Sequence, residues 1–253
     1  MQTGGFQYAF SCAAKVDRGN IRQTNQDAVV CCPEQGFFAV VDGMGGLPGG
    51  GETAAMLETI LPAMANRLRE TLPEGYTPEL AGEALSGAIG GISDKLFEQK
   101  NADGRINFGA ALCALLLVDR CAVIVNLGDC RCYWLGREAE TVARLTTDHN
   151  IAADMVAAGI LSPEAARKSA YSARLTRFAG MPAPAVPGIA FKRLSEGDRL
   201  ALCSDGLYGE VEEADIAAAM QSGLAPHEFC ETMIAHAKEH GGRDNISLIM
   251  ISL

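Results

Sequence analysis

Four aspartates stand at the ends of apolar, strand-like runs, each beside a small residue that can turn sharply. They are Asp42 after Phe37-Phe38-Ala39-Val40-Val41, Asp129 after Val123-Ile124-Val125-Asn126-Leu127-Gly128, Asp205 after Leu200-Ala201-Leu202-Cys203-Ser204, and Asp244 before Asn245-Ile246-Ser247-Leu248-Ile249. A carboxylate at a strand end is held firmly and can face a cleft. Several such groups converging would repel one another and raise each other's pKa. A hard divalent cation relieves that repulsion, and hard cations choose carboxylate oxygens. The pattern therefore predicts a fold that brings strand ends together around a magnesium or manganese site.

The rest of the chain supplies elements for such a fold. Short runs rich in Val, Phe and Cys predict strands over 8–13, 28–32 and 36–41. A glycine-rich turn over 43–51 leads into a helix over 52–71, with Leu57, Ile60, Leu61, Met64 and Leu68 on one face. Pro62 should kink or split it. A second helix runs over 78–99, capped by Thr77 with Pro78 at its first position. Gly87, Gly90 and Gly91 either weaken it or let it pack closely on a flat surface. Two consecutive long helices make a natural cover for one sheet face.

Strands return over 110–118, 122–126, 131–135 and 141–145, and turns at Val118-Asp119-Arg120 and Gly136-Arg137 suggest an antiparallel meander. Residues 150–187 are Ala-rich with short helical pieces, an inserted flap and loop. Strands over 189–194 and 199–203, helices over 213–221 and 226–240, and a strand over 246–252 complete the chain. Helices in pairs and strands in meanders argue for an α+β fold with antiparallel sheets, not a doubly wound parallel one. One domain over 1–253 is expected.

Composition limits the function. The 253 residues carry a net charge of −10, which argues against nucleic-acid and anionic-membrane partners. The nine cysteines include no C-x-x-C pair and lie mostly in apolar runs, so they read as reduced thiols of a cytoplasmic protein. The N-terminus has no basic stretch followed by an apolar one, so no secretory signal is expected. The apolar run 110–118 is too short to span a bilayer.

Asp42-Gly43 and Asp205-Gly206 repeat one device, a carboxylate followed by a residue that admits close backbone approach. Either alone reads as an ordinary turn; the joint pattern is far more specific. Arg22-Gln23-Thr24-Asn25-Gln26-Asp27 adds a guanidinium suited to two phosphate oxygens and a carboxylate suited to a water held by a metal.

With these motifs the chain resembles the metal-dependent protein serine/threonine phosphatases of the 2C type, most closely their bacterial branch. Six stretches carry the resemblance in order: Arg22-x-x-Asn25-Gln26-Asp27, Val41-Asp42-Gly43-Met44-Gly45-Gly46, Leu127-Gly128-Asp129-Cys130-Arg131, Leu145-Thr146-Thr147-Asp148-His149, Leu202-Cys203-Ser204-Asp205-Gly206-Leu207 and Gly242-Arg243-Asp244-Asn245. The resemblance implies a four-layer αββα fold: a central β-sandwich of two antiparallel sheets with a pair of helices on each outer face. It implies two Mn2+ or Mg2+ ions per subunit, and a third held weakly. Asp42 would bridge the pair, Asp205 and Asp244 would complete one ion, the Gly43 carbonyl would bind the other, and Asp129 would join Asp205 at the third. Asp27 would act through a metal-bound water, Arg22 would clamp the phosphate, and 150–182 would be the flap. The implied reaction is in-line attack on a phosphoserine or phosphothreonine by water bridging two metals. Phosphorylated proteins are the implied partners, with a cognate serine/threonine kinase. A monomer is expected.

Two positions depart from several eukaryotic relatives. Met44 replaces a histidine proposed there as general acid, and Gln26 replaces a glutamate that helps the second metal. Competing readings are weaker. Cys12 to Arg18 fits C-x5-R but lacks the glycines that would wrap amides around a phosphate. His236 and His240 lack the glutamate of zinc proteases. No Gly-Lys-Ser/Thr follows the glycines at 45–51, so they are not a nucleotide loop. The remaining alternative is a non-catalytic phosphoprotein-binding regulator, a pseudophosphatase.

Overall fold

Several strands are apolar on both faces, and burial on both faces explains them. In the computed structural model, which describes residues 6–44, 49–101, 105–139 and 141–253, β4 (Ala110–Val118) and β9 (Arg199–Cys203) are buried along their whole length. Each lies inside one of two stacked antiparallel sheets. The first sheet has the order β1 (Ser11–Asp17), β10 (Ile246–Ser252), β9, β6 (Arg131–Leu135), β7 (Ala143–Arg144). The second has the order β2 (Asp27–Cys32), β3 (Phe37–Gly43), β4, β5 (Cys121–Leu127), β8 (Gly188–Arg193).

Alternation along each strand sorts its side chains into layers. Phe38, Val40, Leu115, Ile124, Leu202 and Ile249 fill the space between the sheets. On the far side of the second sheet, Phe37, Val41, Leu112 and Val123 meet Leu57, Leu61, Leu85 and Ile89 of α1 (Gly50–Thr71) and α2 (Pro78–Lys100). On the far side of the first sheet, Leu248 and Met250 meet Ile216 of α6 (Glu213–Gln221) and Phe229 and Met233 of α7 (Pro226–Glu239). Three apolar layers thus bind four structural ones, the αββα arrangement that the motif resemblance implied. No helix among the described residues is long and apolar enough to cross a membrane.

Several local expectations need correction. The first strand covers Ser11–Asp17 rather than 8–13. It continues through charged residues because α7 receives them: Lys15 reaches Glu231 at 2.9 Å and Asp17 reaches Lys238 at 3.0 Å. The run 110–145 is not one meander. β4 and β5 pair in the second sheet, but β6 and β7 belong to the first, so the chain changes sheets between Leu127 and Arg131. α1 passes through Pro62 unbroken and starts at Gly50. Residues 45–48 of the expected glycine turn, with Gly45 and Gly46, lie outside the described residues. Thr77 caps α2 as expected, accepting from the Leu80 amide at 3.3 Å. The 150–187 stretch holds α3 (Ile151–Ala157) and α4 (Pro163–Arg167). A short helix, α5 (Asp205–Tyr208), has no counterpart in the sequence reading.

Candidate active site

The change of sheet is what gathers the carboxylates. Asp27 and Asp42 face each other across the open end of the β2–β3 hairpin. Asp129 sits in the crossing from β5 to β6, Asp205 opens α5 directly after β9, and Asp244 precedes β10. β9 and β10 are neighbours in the first sheet, stacked on the second. The two sheets therefore bring these acids to one end of the sandwich. Asp42, Asp129, Asp205 and Asp244 line a single cavity of about 180 Å3, together with Arg22 and Met44. Ala173 and Leu175, from the chain after α4, close its side.

Close backbone contact makes this convergence possible. A Cβ on Gly43 would lie 2.3 Å from the Gly50 carbonyl oxygen and 2.6 Å from that of Gln26. A Cβ on Gly206 would lie 1.8 Å from the carbonyl oxygen of Asn245. The glycine after each aspartate thus lets β3 approach the start of α1, and α5 approach the start of β10.

The electrostatics are those of an overcrowded anionic site. Burial, then the charges of Asp27, Asp205 and Asp129, holds the Asp42 carboxyl well above the usual carboxylate range. Burial and then Asp205 do the same to Asp129. Burial and then Asp244 push Asp205 up. Asp205 Oδ1 is buried with no hydrogen-bond partner. A buried acceptor with no donor is costly unless something supplies positive charge. Among the described residues no three His, Cys, Asp or Glu side chains are drawn together into a ready ligand set. The donors themselves, hard oxygens of four acids and one orphaned lone-pair site, fit a hard divalent cation.

Other residues expected at the site take distinct positions. Arg22 donates from Nη2 to Asp244 Oδ2 at 2.6 Å, and this bond raises the guanidinium pKa further. Asp27 and Gly43 are not in the cavity wall. Asp27 Oδ2 instead accepts from Ser204 Oγ at 2.8 Å and Ser247 Oγ at 2.7 Å. Burial dominates over those donors and pushes the Asp27 carboxyl up to about 7.

The roles of several supporting residues escaped the sequence reading. Ser204 and Ser247 hold Asp27; a fully buried serine inside an apolar strand is the signal that could have found Ser247. Asn245 ties down the loop that carries Arg22: Nδ2 donates to the carbonyls of Arg18 and Thr24 at 2.9 and 3.0 Å, and Oδ1 accepts from the Gln26 amide at 2.8 Å. Arg131 grips Asp148 with two parallel bonds of 3.0 and 2.7 Å. Its guanidinium lies 3.5 Å from the ring centre of Tyr208, whose hydroxyl donates to the Asp129 carbonyl at 3.0 Å. Asp129 thus rests on a buried ion pair and an aromatic ring. Cys12 Sγ lies 3.7 Å from Cys31 Sγ, and the side chain packs against the layer between the sheets. His236 and His240 stack edge to face at 4.5 Å, with His240 Nδ1 against the His236 carbonyl.

Comparison with known proteins agrees with this fold. Residues 20–247 match the sequence pattern of the family described as protein phosphatase 2C. The chain is 27% identical over 241 residues to the serine/threonine phosphatase stp of Listeria innocua, covering 94% of this chain and 93% of that protein. It is 29% identical over 238 residues to the serine/threonine protein phosphatase PstP of Mycobacterium tuberculosis, covering 94% of this chain and 44% of that longer protein. The crystal structure of the PstP catalytic domain in complex with two manganese ions superposes with a TM-score of 0.75 at 26% identity, over 96% of this chain and 97% of that one. Stp1 of Staphylococcus aureus shares the fold with a TM-score of 0.86 at 23% identity, over 98% and 96% of the two chains. This chain belongs to the protein phosphatase 2C family, as a serine/threonine phosphatase of its bacterial branch.

Proposed function

We propose that this protein hydrolyses phosphoserine and phosphothreonine in proteins with water activated by two divalent ions, Mn2+ or Mg2+. The observation that carries the reading is the meeting of Asp42, Asp129, Asp205 and Asp244 at one cavity, with Asp205 Oδ1 buried and unpartnered. Asp42 would serve both ions, with Asp205 and Asp244 on one and the Gly43 carbonyl on the other. Asp129 with Asp205 would hold a third. Once bound, the ions supply Lewis acidity that makes water a nucleophile near neutral pH. Asp27, steadied by Ser204 and Ser247, would hold that water. Arg22 orients the phosphate and offsets charge on its oxygens, after exchanging part of its bond to Asp244 for the substrate. The manganese in the PstP complex supports the choice of ion.

Phosphorylated proteins are then the substrates, opposed by a cognate serine/threonine kinase, and the protein acts as a monomer in which 150–182 form a flap of one domain spanning 1–253. Nine free cysteines support a reducing, cytoplasmic setting.

The test is turnover of a phosphothreonine peptide with Mn2+, beside the variants Asp42→Asn and Asp205→Asn. Both should lose hydrolysis by at least about a hundredfold and bind Mn2+ more weakly in calorimetry. Near-normal rates in either variant contradict the assignment. Tight Mn2+ binding with no turnover in the unaltered protein would instead indicate a phosphoprotein-binding regulator.

A further inference from the structure

The charge of this chain is unevenly distributed. It has 31 acidic residues and a net charge of −10, yet none of the acids falls within 165–195, where about four would be expected. That stretch carries Arg167, Lys168, Arg174, Arg177, Lys192 and Arg193. It includes the chain after α4 that forms the side of the active-site cavity.

The first four cations divide into two pairs. Arg167 is committed to structure: it bonds Glu212 and donates to the Val211 carbonyl at 3.2 Å. Arg177 donates to the Val186 carbonyl at 3.2 Å. Lys168 and Arg174 are exposed, and among the described residues neither has a carboxylate partner. The Arg174 guanidinium lies over an aromatic face, 5.8 Å from the ring centre of Tyr171.

The backbone around Arg174 is nevertheless anchored beside the cleft. The Ile151 amide donates to the Arg174 carbonyl at 3.0 Å, and the Thr176 amide to the His149 carbonyl at 2.8 Å. Ala173 and Leu175, on either side of Arg174, line the cavity that holds Asp42 and Asp205. Ala173 also lines a second cavity of about 150 Å3, between Arg167, Ser172 and Tyr208, that shares Asp129 and Asp205 with the first. Adjacent α-carbons are about 3.8 Å apart, so the Arg174 side chain starts one residue from the wall that a bound phosphoresidue would touch.

We propose that Lys168 and Arg174 select phosphoproteins whose phosphorylated residue is flanked by Asp or Glu. The proposal rests on the phosphatase reading and narrows it to acidic phosphopeptides. A segment leaving the cavity past the wall at Ala173 and Leu175 meets Arg174, with Lys168 on the same acid-free stretch. Without that local reversal of sign, the negative field of the molecule would repel acidic substrates. Exposed pairs of this kind are individually weak, so two give about a two- to thirtyfold preference at low salt. The preference should shrink above about 0.15 M salt.

The test uses the full chain loaded with Mn2+ and two phosphothreonine peptides, one flanked by glutamates and one by alanines, with p-nitrophenyl phosphate as a third substrate. The kcat/KM ratio of acidic to neutral peptide should exceed about three at low salt. It should fall to about one in the double variant Lys168→Glu/Arg174→Glu and persist in Lys168→Arg/Arg174→Lys. Equal kcat/KM for the two peptides, or a ratio untouched by charge reversal, overturns the proposal and leaves the phosphatase reading standing. If no substrate turns over, that reading fails, and fluorescence anisotropy with the same peptides decides this one. Tighter binding of the acidic peptide supports it, and equal affinities overturn it.

Discussion

Arg22 has two partners to satisfy, Asp244 in the structure and a phosphate in the proposed reaction. Arg22→Ala should therefore raise KM for a phosphopeptide about tenfold with a smaller change in kcat, because it removes a binding contact. Steady-state kinetics with Mn2+ checks it, and an unchanged KM removes Arg22 from the substrate site. Asn245 makes a different kind of contribution. Asn245→Ala would leave the Gln26 amide and two loop carbonyls without their side-chain partner. A loss of about 2–3 kcal/mol is expected in urea denaturation. The Asp-Gly repeats were legible as candidate ligand positions because residue types and order are local information. The reason for Gly206 was not: it is glycine because the Asn245 carbonyl, 39 residues further on, would lie 1.8 Å from any Cβ. Distances between remote segments exist only after folding.

The helix α2 shows the same division among its glycines. Gly82 and Gly90 are where the chain packs closely: a Cβ would meet Phe191 at 2.8 Å in the first case and the Ala185 carbonyl oxygen at 3.0 Å in the second. Nothing lies within 4 Å of a Cβ at Gly87 or Gly91. Gly87→Ala and Gly91→Ala should each stabilise the protein by about 0.5–1 kcal/mol, through helix propensity alone. Gly90→Ala should gain less or lose stability, since the Ala185 backbone must give way. Urea midpoints separate the three, and equal gains at all of them would refute the packing role of Gly90. Periodicity located the two long helices and most strands, because apolar spacing is written in the residues themselves. It misplaced β1, whose charged half is explained by partners on α7. It also joined β5 to β6 in one meander, because the Gly128-Asp129 turn reads alike whether it closes a hairpin or crosses between sheets.

At the scale of the whole molecule, burial of His149 links stability to pH. Burial, then the nearby Arg177 charge, pushes its imidazole down to about 4, against opposing pulls from Asp148 and Asp154. Its Nδ1 accepts from the Gly128 amide at 3.2 Å, which requires the neutral ring. Between an unfolded value near 6.5 and the folded value of about 4, the unfolded chain binds the extra proton. Stability from this residue is therefore complete above about pH 6.5 and is lost as pH falls toward 4, by about 1–3 kcal/mol. Asp27, with its folded pKa raised to about 7, acts in the opposite direction. The His149 contribution is thus read as the difference between the unaltered protein and His149→Gln, in urea denaturation at pH 7 and pH 5. A difference that does not change with pH would show that His149 titrates alike in both states.

The order and types of residues determined the α+β class with antiparallel sheets, the identity of the carboxylates and the hardness of the cation they suit. Those properties follow from side-chain chemistry and from periodicities of two and 3.6 residues along one chain. Only the tertiary structure decided which acids share a cavity, which serines hold Asp27, and which cations beside the cleft stay unpaired. Each of these depends on the stacking of two sheets, which places residues side by side that the chain keeps more than a hundred positions apart.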